Sequence, residues 1–191
     1  MASLINPPLS SSGQPERSDL SLFSQIREDW IAHGRDWTKP GFRAVAIHRF
    51  GVWRMGIASR WLRMPFSLVY TMLFRRVRNH YGIELPYTVK LGRRVVVEHQ
   101  GNIVVHGNCQ IGDDSIIRQG TTLGIRYMDR LTEAPKLGKR VNVGAGAKLF
   151  GAIVIGDDTN IGANAVVLCD VPDGMTAVGI PAKVLVPKSG I

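Results

Sequence analysis

Val95–Gly107 reads VVVEHQGNIVVHG. Branched apolar residues surround Glu98, His99 and Gln100. A carboxylate, an imidazole and an amide therefore sit inside a run that otherwise has the composition of packed sheet. Three polar groups in a row are costly in a sheet interior and cheap on an outer wall. The repeat around them decides between the two.

That repeat has a period of six. One train runs LGRRVV, VEHQGN, IVVHGN from Leu91, Val97 and Ile103. A second runs IGDDSI, IRQGTT, LGIRYM from Ile111. A third runs LGKRVN, VGAGAK, LFGAIV, IGDDTN, IGANAV, VLCDVP from Leu137. An aliphatic residue opens each unit. Small or branched residues recur in the fifth place, as at Val95, Ser115, Thr121, Val141, Ala147, Thr159 and Ala165. Six matches neither a helical face nor the two-residue alternation of a simple strand. It is the signature of a hexapeptide β-helix, with three short strands per coil and the opening aliphatic pointing inward. No coil buries a core alone, so stacking supplies the stability. Two interruptions stand out. Cys109-Gln110 adds two residues and is expected to shift the register. RYMDRLTEAPK (126–136) breaks the repeat and is expected to project as a loop, the usual location of function on a regular scaffold.

Upstream the period is helical. SDLSLFSQIREDWIAHG offers Ser18 or Asp19 as N-cap and Gly34 as stop. KPGFRAVAIHRFGVWRMG places Phe42, Val45, Ala46, Phe50 and Trp53 on one face, and MPFSLVYTMLFRRVRNHYG puts Pro65 in a first turn. The reading is a mainly β chain: a flexible tail over 1–18, an α-helical region over 19–81, the β-helix over 82–185 and a tail over 186–191.

The composition is that of a soluble globular protein, 191 residues with 45% hydrophobic and 20% charged. No secretion signal and no membrane-length apolar run are read, so the expected location is cytoplasmic. Two distant cysteines, Cys109 and Cys169, fit a reducing compartment without disulfide or zinc. The net charge is +9, and residues 1–80 carry +7 of it. No nucleic-acid motif accompanies that charge, so nucleic acid is not an expected partner. PFSLVYTMLFRRVR suggests instead a peripheral contact at the inner membrane.

YGIELPYTVKLGRRVVVEHQGNIVVHGNCQIGDDSIIRQGTTLG, followed by APKLGKRVNVGAGAKLFGAIVIGDDTNIGANAVVLCDVPDGMTAVGIPAKVL, resembles the serine acetyltransferase family. IRED and GFRAVAIHRFGVW extend the likeness into the helical part. The resemblance implies a left-handed parallel β-helix, a homotrimer with sites between subunits, and acetyl-CoA as co-substrate with no metal. It places the catalytic base on His99, its orienting acid on Glu84 and a second acid on Glu98. A histidine, with an ordinary pKa near ~6.5, suits deprotonation of an alcohol at neutral pH. Acetyl-CoA would lie along an edge at Gly124, Gly144, Ala145, Gly146, Ala163 and Ala165, with Lys183 toward the nucleotide phosphates. His33, His48, His80 and His106 have no such match and read as structural. A carbonic-anhydrase-like metal site would need three His ligands, and only His99 and His106 lie in the repeat.

The likeness departs from the family in the loop. The family ends it with an Arg-His pair that recognises serine. Here TEAPKLG puts Glu133 and Ala134 there, which would repel a carboxylate. Arg126 or Arg130 are the available substitutes. GIELPYTVKLGRRVVVEHQG is nearer to the exopolysaccharide acetyltransferases of the colanic acid type, so a sugar hydroxyl, free or lipid-linked, is the first expectation for the acceptor. L-serine, in cysteine biosynthesis, is the alternative, and a non-catalytic binding scaffold is the rival from another class. The terminal Ile191 resembles the residue by which the family docks into cysteine synthase, but the tail before it is short.

Overall fold

The computed structural model describes residues 21–186, so the proposed caps Ser18 and Asp19, the N-terminal tail and Ile191 lie outside the described residues. Helix α1 (Leu22–Ala32) is capped by Ser21, whose hydroxyl accepts the N–H of Ser24 at 3.3 Å. Helix α2 (Pro40–Met55) starts on a proline, which has no N–H to leave orphaned there. Helix α3 (Arg60–Tyr81) begins five residues before Pro65, which lies inside the helix and not in its first turn. Gly82 ends it in the left-handed region at φ 63°.

The rest is β1 (Ile83–Glu84), β2 (Lys90–Leu91), β3 (Val96–Glu98), β4 (Ile103–Val105), β5 (Gln110–Ile111), β6 (Ile116–Arg118), β7 (Thr122–Gly124), β8 (Lys136–Leu137), β9 (Asn142–Val143), β10 (Lys148–Phe150), β11 (Val154–Ile155), β12 (Asn160–Ile161), β13 (Val166–Val167), β14 (Thr176–Gly179) and β15 (Ala182–Leu185). They form three sheets, the walls of a triangular prism. The first wall is β1-β4-β7-β10-β13, the second β2-β5-β8-β11, and the third β3-β6-β9-β12-β14-β15. All pairs are parallel except β14 with β15. The fold is a left-handed parallel β-helix behind an α-helical region.

The hexad logic holds inside the prism. Every opening aliphatic is buried except Leu91, and every named fifth-place residue from Val95 to Ala165 is fully buried. Cys109-Gln110 does not shift the register. Val105, and not the hexad opener Ile103, pairs with Leu123, and Ile111 stays level with Leu91 and Leu137. The two extra residues fall instead between Val97 and Val105, at the corner between the third and first walls, since Val97 pairs with Ile117 and Val105 with Leu123. At the corner between the first and second walls the buried Cys109 thiol approaches the Leu123 carbonyl at 3.6 Å. The loop 126–136 leaves from that same corner, between β7 and β8. Its base is held by Asn108, whose Nδ2 donates to the Leu131 carbonyl at 2.7 Å.

The helices dock on the first coil through buried polar groups. Arg49, 6% exposed, donates to Asp29 (2.8 Å) and to the carbonyls of Leu91 (2.9 Å) and Gly92 (2.5 Å). His48 donates from Nε2 to the Val89 carbonyl at 2.9 Å. Gly41 lies so close to β3 that a Cβ there would sit 1.9 Å from the Val97 oxygen. This is the physical content of IRED and GFRAVAIHRFGVW: together they supply the bolts between helices and coil. His33 and His48 are structural, as their sequence context suggested.

Candidate active site at one corner of the prism

His99 follows β3 at the corner where the third wall turns into the first. It is exposed, with φ 65°. Turn residues at both ladders of corners adopt this left-handed conformation, Arg94, Asp114 and Asn164 among them. At this corner Asn102, Gly120, Gly146 and Asn164 are the regularly placed left-handed residues, and His99 adds another in the one corner that is two residues longer. Successive coils stack directly at this corner. Gly120 N–H donates to Gly101 O (2.9 Å), Gly146 N–H to Gln119 O (2.8 Å) and Asn164 N–H to Ala145 O (2.8 Å). A single ridge thus carries His99, then Gln119, then Ala145 and Gly146, then Ala163.

Five of the residues singled out in the sequence share this ridge: His99, Gly144, Ala145, Gly146 and Ala163. The glycines also have an internal reason to be small. A Cβ on Gly144 would lie 2.6 Å from Ala163 N, and one on Gly146 would lie 2.0 Å from Asn164 Oδ1. Ala165 faces the interior and is fully buried, with its N–H given to Gly162 and its carbonyl taken by Lys148 N–H. It is a core residue, and its methyl is not presented to the ridge. Gly124 lies at the far edge of the first wall, where the Phe150 ring covers it at 3.1 Å from a built Cβ. Lys183 is exposed on β15.

Glu84 is on β1, level with Val104 on the next coil, and half-buried. Among the described residues neither its carboxylate nor the His99 ring takes a hydrogen-bond or ion-pair partner. Both remain available to a substrate. Glu98 differs. Its Oε2 meets Arg118 Nε at 2.9 Å, and Arg118 also donates to Asn142 Oδ1. Arg118 was not singled out in the sequence. The signal was present, because Glu98 and Arg118 are register partners one coil apart.

The loop residues stand elsewhere. Arg126 and Arg130 lie over the Tyr127 ring at 5.5 and 5.4 Å, and Arg130 also meets Glu133 at 3.5 Å. This cluster belongs to the corner between the first and second walls, while His99 belongs to the corner between the third and first. Strands about three residues long, roughly 10 Å, separate the two corners. His106 sits by the loop base, where its Nδ1 accepts the Asn108 N–H at 3.4 Å. Among the described residues no cluster of three His, Cys, Asp or Glu could hold a metal.

No family model matches the chain. It is 40% identical over 169 residues to the serine acetyltransferase of Helicobacter pylori strain J99, covering 86% of this chain and 94% of that protein. The serine acetyltransferase of Mycobacterium tuberculosis is 37% identical over 146 residues, covering 76% of this chain and 61% of that protein. Among solved structures, soybean serine acetyltransferase complexed with serine superposes with a TM-score of 0.73 at 31% identity, over 86% of this chain and 70% of that one. The Brucella abortus enzyme in complex with coenzyme A gives 0.72 at 26% identity, over 85% and 67%. With the prism, its helical cap and a relative matched along nearly its whole length, the chain belongs to the serine acetyltransferase family of acetyl-CoA-dependent hexapeptide-repeat acyltransferases.

Proposed function

We propose that this acyltransferase acetylates the hydroxyl of L-serine, with His99 as general base. The observation that carries the role of His99 is its ridge: an exposed, unpartnered imidazole stands in line with the small residues Ala145, Gly146 and Ala163. A pantetheine arm lying along that ridge would bring its thioester to the imidazole. The His99 ring takes the hydroxyl proton as the oxygen attacks the acetyl carbon. The C–S bond then breaks, the acetyl group stays on oxygen, and the proton passes to the departing sulfur. Glu84 is suited to hold the imidazolium that forms between these steps. Lys183 is suited to the nucleotide phosphates. The separation of the loop from His99 by one wall supports a site completed between copies of the chain, as in a trimer.

The serine reading is supported by the 40% identity to a serine acetyltransferase along 94% of its length. It displaces the sugar acceptor from first place. A second reading, acetylation of a sugar hydroxyl in exopolysaccharide assembly, is favoured by one observation. Glu133 occupies the loop position of a carboxylate-binding arginine and already engages Arg130. The deciding experiment follows thiol release from acetyl-CoA by the purified protein, with L-serine or a nucleotide-activated hexose as acceptor and His99→Ala as control. His99-dependent release with serine is expected. Release with the hexose alone would move the chain to the second reading. Turnover unaffected by His99→Ala would remove the base from the ridge.

A further inference from the structure

Helix α3 has two faces, and only one is used by the fold. Ser67, Tyr70, Phe74 and Val77 recur at helical spacing and turn inward, with Tyr70 and Val77 buried. The opposite stripe carries Trp61 (78% exposed), Leu68 (68%) and Met72 (64%), with Leu62 and Val69 beside them. Exposed apolar groups scattered singly are ordinary, but a continuous stripe of this kind marks a surface that is covered in use. Phe66 of the same helix also borders an open apolar basin of about 700 Å³, together with Phe50 and Trp53.

The charge around the stripe identifies what covers it. From Trp37 to Ile83 the chain has nine Lys/Arg and no Asp or Glu. Arg60, at one end of the stripe, and Arg75 and Arg76, at the other, are exposed and have no ion-pair partner among the described residues. A second copy meeting this face about a two-fold axis would oppose arginine to arginine with no carboxylate on α2 or α3 to neutralise them. A surface of anionic lipid supplies both missing parts, phosphate for the arginines and an apolar layer for Trp61, Leu68 and Met72. No helix among the described residues is long and apolar enough to cross a membrane, so such a contact lies in the plane of the interface.

We infer that the outer face of α3 docks the protein on anionic lipid bilayers, independently of which hydroxyl the enzyme acetylates. The test is co-sedimentation of the full chain with vesicles of equal parts phosphatidylglycerol and phosphatidylcholine, against vesicles of phosphatidylcholine alone. Binding to the anionic vesicles is expected at low salt and weakens as salt rises. Arg75→Gln with Arg76→Gln lowers partitioning on the order of tenfold, while circular dichroism stays unchanged because both side chains are exposed. Leu68→Glu with Met72→Glu lowers it at least as far and removes the blue shift of Trp61 fluorescence. Equal recovery with both vesicle types, or none with either, overturns the inference. So does self-association in sedimentation velocity that Leu68→Glu abolishes while vesicle binding persists.

Discussion

The Val97 N–H donates to His33 Nε2 across 3.2 Å, tying the first helix to the strand that leads into His99. His33 Nδ1 donates to the Asp29 carbonyl at 2.7 Å, so both ring nitrogens have assigned roles and the ring is neutral. Burial lowers the pKa of His33, and burial together with nearby Arg49 pushes that of His48 down to about 3. The sign follows directly. A histidine held neutral in the fold gives its full stability above its unfolded pKa of about 6.5, and that stability is lost as pH falls below it. For His48 the loss continues down to about pH 3. Thermal unfolding from about pH 8 to about pH 4 should show a falling Tm, steepest below about 6.5. His48→Gln, which keeps a donor toward the Val89 carbonyl, should flatten that dependence. An unchanged slope would move the acid sensitivity to other groups.

Arg49 and Asp29 form a pair that is 7% and 1% exposed. Removing one member leaves the other charged and dry. Arg49→Met should cost about 3 to 5 kcal/mol in urea unfolding. Combining it with Asp29→Leu should recover part of that loss, because the stranded carboxylate goes too. Additive losses in the double variant would mean that the carbonyls of Leu91 and Gly92, and not Asp29, are what Arg49 serves.

His99 is exposed and contributes little packing, so His99→Ala should leave the Tm in place. If it is the base, kcat should fall about 10²- to 10⁴-fold. Glu84→Gln should lower kcat by less, with little change in KM for acetyl-CoA. Parallel loss of activity and Tm in either variant would reveal a folding effect.

Glu133 offers a test of acceptor charge. Glu133→Ala frees Arg130 from its 3.5 Å partner and removes a negative charge from the loop. For an acceptor with a carboxylate, KM should fall several-fold while kcat holds. For a neutral sugar it should stay put. Initial rates against acceptor concentration separate the two.

The prism was legible because its interior repeats. An aliphatic at one place and a small residue four places on are imposed on every coil, whatever the outer wall carries. The corners were less legible, because backbone turns tolerate extra residues without disturbing the walls. Hence two extra residues that fall between Val97 and Val105 read as an insertion at Cys109-Gln110. In α3, Pro65 drew the reading to a late start, although Ser59 before Arg60-Trp61 was an available boundary. The placement of His99 on an outer corner could be read from its hexad. The pairing of Glu98 with Arg118 could not be seen without counting a full coil across the insertion. Nor could the hexad alone show that Ala145 and Ala163 share an edge with His99 while Gly124 stands at the far side of a wall.

A parallel stack has no natural end, since each coil offers its backbone to the next. Helices close one side here. On the other, β15 reverses direction and pairs with β14, meeting the last exposed amides of the third wall with a strand of opposite polarity. A further parallel coil cannot continue from that edge. The short hairpin is therefore a terminator of the third wall, the side on which a repeating stack is given a defined end.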